Sequence, residues 1–265
     1  MPKQYLPLRG QPIATWSLQT FAAMKASGSS LCLAATAGGH TSIDAPLPFP
    51  PPFKQEVGEI VVVCDPSYRD IFEGCPLPRQ LPLKWALPGK ERQDSVYNGL
   101  QEVRSGAALV AVHDSARPMV EAADVRRCIQ DAAEVGAAVL GVQVKPTIKE
   151  VDPNGRVIRT LDRSKLWEVQ TPQIIRPELL KRGYDKARRE EAAAPAPALD
   201  RKPPALLQVN KESLAVTDDV SIIEHLGHPV KITVGDYTNI KARTTTRRRC
   251  GPSWPGEMPG ACQCR

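Results

Sequence analysis

Val110-Ala-Val-His-Asp-Ser-Ala-Arg-Pro118 is the stretch on which the reading of the fold turns. Residues 107–112 form a short apolar run ending in valines, which reads as a buried strand of a parallel sheet. At its end the polarity changes within one residue to His113, Asp114, Ser115 and Arg117, and Pro118 blocks further pairing. Open α/β sheets place ligands at the carboxyl ends of their strands. A carboxylate and a guanidinium three residues apart suit such a place. Asp114 can hold a ribose hydroxyl or a metal ion bridging phosphates, and Arg117 can offer a planar fork to phosphate oxygens. The same residues also fit an ordinary strand-to-helix loop with a capping Asp and a surface Arg.

Outward from that stretch, apolar runs at 59–64, 83–86, 137–144 and 230–234 read as further strands. Helical spacing appears at 13–24 with Pro12 at the first position, and again at 67–72, 95–103 and 122–135, the last closed by Gly136. Pro177 opens a helix over 178–189, and residues 216–221 cap one over 220–226. Gly89, with basic neighbours, stands before Ser95 at a helix start, which is a ready anion site; a plain turn with a capping Asp94 fits the spacing equally well. Residues 147–151 and 156–161 alternate around Asp152-Pro-Asn-Gly155 and predict a β-hairpin. Its exposed edge makes a dimerisation arm over 146–171 the expectation, with a solvent-facing flap as the alternative. Strands alternating with helices give an α/β class, a mostly parallel sheet flanked by helices. One domain over 1–241 is expected. Low-complexity, disordered insertions are expected at 25–55 and 190–212, and a disordered basic tail over 242–265.

The chain has 265 residues and a formal charge of +6, but five Arg against one Glu in residues 242–265 account for +4 of it. The body is close to neutral, which argues against a nucleic-acid partner. No apolar run approaches the roughly 20 residues that span a bilayer, so no membrane partner is expected. The seven Cys show no repeated metal spacing. Cys64 and Cys128 lie among apolar residues and read as buried free thiols, a pattern of a reducing compartment. No secretory or transit signal precedes Met1-Pro-Lys.

Eight motifs occur in order: Met1-Pro-Lys-Gln-Tyr5, Pro88-Gly-Lys-Glu-Arg-Gln-Asp-Ser-Val96, His113-Asp-Ser-Ala-Arg-Pro118, Thr147-Ile-Lys149, Leu161-Asp-Arg163, Gln170-Thr-Pro-Gln173, Val216-Thr-Asp-Asp219 and Thr238-Asn-Ile-Lys241. Together they closely resemble the 2-C-methyl-D-erythritol 4-phosphate cytidylyltransferase family, in wording nearest its plant and algal plastid members. The resemblance implies a Rossmann-like nucleotide-diphospho-sugar transferase fold. It implies that CTP and methylerythritol phosphate are joined, with Mg²⁺ as cofactor, and pyrophosphate is released. By that resemblance Lys3 is a transition-state stabiliser on the CTP phosphates. Gly89 and Ser95 match cytidine-binding positions, and Asp114 a nucleotide-side and metal-side carboxylate. Arg117 falls between the two substrates. Thr147 and Arg163 match methylerythritol phosphate contacts on the arm, and Lys241 positions the attacking phosphate with Arg163. The resemblance further implies a homodimer, whose arm enters the partner's site, and the chloroplast stroma.

The chain departs from the family pattern at both ends. A strand and an Ala-Ala-Gly-x-Gly-x-Arg-Met loop precede the Lys in the family, whereas here Met1 falls inside that region. Two open strand edges and an open core face are therefore expected. After Lys241 the family runs Val-Thr-x-Pro-x-Asp; here Ala-Arg-Thr-Thr-Thr-Arg follows. The chain reads as an N-terminally truncated member with an altered C-terminus. The alternative to an active enzyme is an inactive relative that keeps the arm and acts only as a dimerising interaction protein. A transferase for another polyol phosphate is a third reading, opposed by Thr147-Ile-Lys149 and Asp162-Arg163.

Overall fold

The computed structural model describes residues 2–24, 57–193 and 218–242. The insertion expected at 25–55 and the tail from 243 onward lie outside the described residues, as does most of the one expected at 190–212. Lys3–Tyr5 is a 3₁₀ turn. A small antiparallel ladder of β1 (Pro7–Leu8) and β2 (Gln11–Pro12) follows it, where the sequence suggests only a loop. Helix α1 (Ile13–Ala23) starts next, with Pro12 in the N-cap position at an extended ψ of 140° and not inside the first turn. Then come β3 (Ile60–Val63), α2 (Arg69–Glu73), β4 (Leu83–Ala86) and α3 (Arg92–Gln101). Helix α3 begins three residues before the expected start at Ser95. The reason is a cap: extended Glu91 donates its N–H to the Asp94 carboxylate at 3.1 Å, closing the first turn from within the helix.

Strand β5 (Val110–Val112), helix α4 (Ala122–Val135) and strand β6 (Ala137–Gln143) complete the central stretch. Gly136 ends α4 with a left-handed φ of 101°, which L side chains rarely adopt. Strands β7 (Lys149–Val151) and β8 (Val157–Thr160) pair only with each other, as the expected hairpin. Asp152 organises its turn by accepting the N–H groups of Asn154 and Arg156 at 2.9 and 2.8 Å. The chain returns through β9 (Trp167–Ile175), α5 (Pro177–Ala193), α6 (Asp219–Glu224) and β10 (Lys231–Val234).

The main sheet has the order β10-β6-β9-β5 and is mixed. Strand β10 is parallel to β6, but β9 runs antiparallel to both its neighbours. The parallel setting expected for residues 107–112 is therefore corrected: β5 pairs antiparallel with β9, Val110 opposite Ile175. The correction follows from β9 itself, which the sequence conceals. Glu168, Gln170 and Thr171 break its apolar run, and Pro172 removes a donor. The structure accommodates that proline where the β6–β9 register shifts, between the pairs Val139–Gln173 and Gly141–Val169. Strands β3 and β4 form a separate parallel pair.

Both faces of the main sheet are covered. Ala138, Leu140 and Ile174 pack with Val125, Cys128 and Ala132 of α4. Ala137, Val139 and Ile175 pack on the other face with Leu179 and Leu180 of α5 and Ile222 and Ile223 of α6. A third cluster joins Ala14 and Leu18 of α1 to Cys64 and Phe72, beside Ile60 and Val62 of β3. Among the described residues, strand β3 bonds only to β4, and β5 bonds only to β9. The two inner edges that remain face a cleft of about 510 Å³, walled by Leu18 and Phe21, Val96 and Leu100, and Val125 and Ile129. Residues of β3 and β5 are accordingly half-buried or exposed, where the sequence suggested full burial.

Candidate active site

The cleft opens at the carboxyl end of β5, where His113, Asp114 and Ser115 line it together with Arg92 and Ser95 of α3. Asp114 accepts Lys241 Nζ on one carboxylate oxygen at 2.6 Å, and Arg92 Nε lies 3.6 Å from the other. Burial on its own would raise the Asp114 pKa, but the Lys241 ammonium and the Arg92 guanidinium outweigh it and hold the carboxyl below its ordinary value. The Asp114 N–H donates to Thr171 Oγ1 at 3.1 Å, and that hydroxyl lies 3.1 Å from His113 Nδ1. The hydroxyl hydrogen is thus left for Nδ1, and His113 Nε2, 3.3 Å from the Arg117 carbonyl, carries the ring proton. Burial pushes the His113 pKa down to about 4, so the imidazole is neutral at pH 7. Thr171 lies in the part of β9 where the register with β6 shifts.

Arg92 continues the ion ladder inward. Its Nη2 donates to Asp219 Oδ2 at 2.8 Å, and Asp219, with a side chain 1 % exposed, accepts Tyr184 Oη–H at 2.8 Å. Gln173 Oε1 accepts the backbone N–H groups of Asp219 and Val220 at 2.9 and 3.0 Å, fixing the start of α6. Burial lowers and the Asp219 carboxylate raises the Arg92 pKa, with a net rise. The loop before α3 folds over the same opening. Gly89 donates its N–H to Ser95 Oγ at 2.9 Å, and a Cβ at Gly89 would stand 2.2 Å from that of Asp94, so only glycine fits.

Six of the residues singled out in the sequence therefore fall into two groups. Ser95 and Asp114 line the cleft, and Gly89 and Lys241 meet it through their bonds to these two residues. Thr147 and Arg163 are exposed at the base of the hairpin, where Arg163 Nη1 donates to the Lys145 carbonyl at 2.9 Å. Lys145 Nζ stands 3.5 Å from the centre of the Tyr237 ring. Among the described residues no hydrogen bond or ion pair joins Arg163 to Lys241. Arg117 is 7 % exposed and donates from Nη1 to the Asn239 carbonyl at 2.7 Å, so it ties the loop after β5 to the segment that carries Lys241. Lys3 opens the turn whose next residues, Gln4 and Tyr5, line the cleft. Arg92, Thr171, Asp219 and Asn239 escaped attention as individual residues, although each lies within a motif quoted above.

The family model for IspD, 2-C-methyl-D-erythritol 4-phosphate cytidylyltransferase, matches residues 52–202. The chain belongs to this family. It is 49% identical over 244 residues to the chloroplastic 2-C-methyl-D-erythritol 4-phosphate cytidylyltransferase of Oryza sativa subsp. japonica, which covers 92% of this chain and 65% of the rice protein. It is 35% identical over 246 residues to the cytidylyltransferase of Geobacillus thermodenitrificans, covering 92% of this chain and 84% of that protein. Against the rice and Pelotomaculum thermopropionicum family members it thus spans 65% and 56% of their lengths. The cytidylyltransferase-family fold recurs in solved structures from Anaerococcus prevotii (TM-score 0.64, 20% identity, 92% and 88% of the two chains) and Thermus thermophilus (TM-score 0.59, 24% identity, 91% and 87%).

No group of three or more His, Cys, Asp or Glu able to hold a metal occurs among the described residues. Asp114 is a single carboxylate beside two cations. Mg²⁺ is commonly held through one or two carboxylates plus substrate phosphates, and an ion at Asp114 would have to displace those cations.

Proposed function

We propose that this chain transfers the cytidylyl group of CTP to 2-C-methyl-D-erythritol 4-phosphate, giving 4-diphosphocytidyl-2-C-methyl-D-erythritol and pyrophosphate, a step of isoprenoid biosynthesis. The observation that carries the reading is the convergence of Gly89, Ser95, Asp114 and Lys241 at one cleft mouth, from three separate stretches of sequence. An oxygen of the substrate phosphate bonds to the α-phosphorus of CTP, the bond from that phosphorus to the bridging oxygen breaks, and pyrophosphate leaves. The nucleophile is already an anion, so no side-chain base is required. What the protein supplies is orientation and compensation of spreading charge.

In this reading Gly89 and Ser95 hold cytidine, and Lys3 sits on the triphosphate. Lys241 and Arg163 orient the attacking phosphate. Thr147 binds methylerythritol phosphate, and Arg117 lies between the two substrates. Mg²⁺ entering with CTP would be held by Asp114 and would offset phosphate charge. Among the described residues no hydrogen bond or ion pair joins Arg163 to Lys241, which favours a homodimer whose hairpin reaches the partner's cleft. Exposed Val151, Val157 and Ile158 on that hairpin fit such a contact. The chloroplastic rice relative points to the plastid stroma.

The open inner edges of β3 and β5 favour one second reading, an inactive relative that only dimerises. Pyrophosphate release from CTP, Mg²⁺ and methylerythritol phosphate decides between them, run beside a version carrying an Ala-Ala-Gly-x-Gly-x-Arg-Met start. Turnover by either supports the transferase, and turnover by the extended version alone shows that the added start supplies phosphate contacts. Silence from both, with an active control enzyme, supports the second reading.

A further inference from the structure

After β10 the chain crosses the carboxyl end of β6 and the neighbouring middle of the antiparallel β9 and reaches the loop that follows β5. Gly235 donates its N–H to the Gly141 carbonyl at 2.9 Å, and Ala242 donates to the Ala116 carbonyl at 2.8 Å. Between Val234 and Ala242 one residue is buried: Asn239, 1 % exposed, with exposed Thr238 and Ile240 on either side. Its Nδ2 donates to Gln170 Oε1 and to the Thr171 carbonyl, both at 3.0 Å. Its own carbonyl accepts Arg117 Nη1 at 2.7 Å. Gln170 is held in turn, donating from Nε2 to the Asp236 carbonyl at 3.1 Å. The orientation of the Asn239 amide is therefore fixed, because a flip would set Oδ1 against two acceptors. Oδ1 itself has no hydrogen-bond partner among the described residues. Thr171, which takes one of these bonds through its carbonyl, receives the Asp114 N–H on its hydroxyl.

We propose that Asn239 is a positioning residue that seats Lys241 opposite Asp114. Lys241 is half-exposed and flexible by nature, with four rotatable bonds before its ammonium. Its backbone sits two residues past the single buried anchor, and that anchor grips the strand and the loop that also hold Asp114. Asn239 thereby sets the ammonium and the carboxylate in one frame, where a shift of about 1 Å would cost on the order of 100-fold in a reaction that depends on orientation. For its kinetic arm this inference rests on the transferase reading; its labelling arm does not.

The test compares the unsubstituted chain with Asn239→Ala, Asp114→Asn, Lys241→Ala and the Asn239→Ala/Lys241→Ala pair. Gln170→Leu serves as a milder variant that removes one of the two acceptors. Lysines are acylated at fixed pH, well below each variant's Tm, and read by peptide mass spectrometry. Lys231, which pairs with Asp131 at 2.8 Å on the far edge of the sheet, is the internal control. The expected result is that Asn239→Ala speeds Lys241 acylation nearly as much as Asp114→Asn, that Gln170→Leu does so less, and that Lys231 does not change. In turnover, kcat falls at least about tenfold while KM for CTP moves less than about twofold. In the Lys241→Ala background the same substitution adds almost nothing, since residues acting through one group are not additive. Unchanged Lys241 labelling overturns the proposal, as does Lys231 rising in step with Lys241, which would mean general loosening. Multiplicative kinetic losses overturn it too. If only the extended version releases pyrophosphate, the kinetic comparison is made in that version; if both are silent, that failure strikes the assigned reaction, and the labelling alone decides the seating of Lys241.

Discussion

The main sheet and the β3–β4 pair are built from similar apolar runs, yet they end in different states. In β6 the residues Ala137 to Leu140 are at most 1 % exposed, sandwiched between α4 on one face and α5 with α6 on the other. In β3 the four residues Ile60–Val63 are all half-buried, although they are as apolar as those of β6. The difference lies in neighbours, not composition. Strand β6 has β9 and β10 beside it, whereas β3 has β4 on one side and the cleft on the other. A strand's burial is thus a property of its place in the sheet. The cleft mouth joins the two regions: Asp114 and Lys241 come from the main sheet's side, and Gly89, Arg92 and Ser95 arrive on the loop and helix that follow β4.

This comparison can be broken or sharpened by measurement. Leu140→Ala, in the buried centre of the main sheet, is expected to cost about 4 kcal/mol, against about 1 kcal/mol for Val62→Ala in β3. Equal costs in urea denaturation would mean that the two regions are packed alike. Arg92→Leu removes the cation facing buried Asp219 and should cost about 3 kcal/mol, because it strands a carboxylate in the interior. A loss under about 1 kcal/mol would show that Tyr184 alone suffices as a partner.

The pH dependence separates the regions again. His113 titrates near 4 when folded and near 6.5 when unfolded. Its neutral form is favoured by the fold, so this stability is fully present above pH 6.5 and is lost as pH falls toward 4. The unsubstituted chain should lose about 2 kcal/mol through this group between pH 7 and pH 5. His113→Asn should flatten that slope in pH-resolved denaturation, and an unaltered slope would place the titrating group elsewhere. The smallest effect belongs to the β3–β4 pair. The Lys84–Glu59 bridge at 3.0 Å is partly exposed, and Lys84→Ala should cost under about 1 kcal/mol, a cost that shrinks as salt is raised.

Local chemistry made much of this fold legible. Helix α4 occupies residues 122–135 as its spacing and Gly136 require, and the hairpin forms around Asp152 and Gly155. Capping set the limit at α3, where Glu91 and Asp94 start the helix earlier than Ser95 suggests. The larger failure was β9. Its polar residues look like loop because they serve the site: Thr171 meets Asp114 and His113, Gln170 meets Asn239, and Gln173 meets Asp219. A strand that breaks its own periodicity to hold a site cannot be read by periodicity. Within the site, the motif residues at 89, 95, 114 and 241 come together. The ion ladder from exposed Arg92 to buried Asp219 links positions 127 residues apart, a pairing that no local pattern encodes.

Chance has also left a timekeeper on each side of the molecule. Cys64 closes β3 in the cluster with α1, and Cys128 lies in α4 against the main sheet; both are free and buried. Burial raises both thiols, Cys128 to about 12, so neither is a thiolate at neutral pH while its surroundings stay shut. Each therefore reacts with a disulfide reagent only when its own neighbourhood opens. The rates at which the two peptides acquire the reagent become two independent clocks, one for each half. Where those clocks run at different speeds, the molecule opens in pieces; where they agree, it opens as a whole.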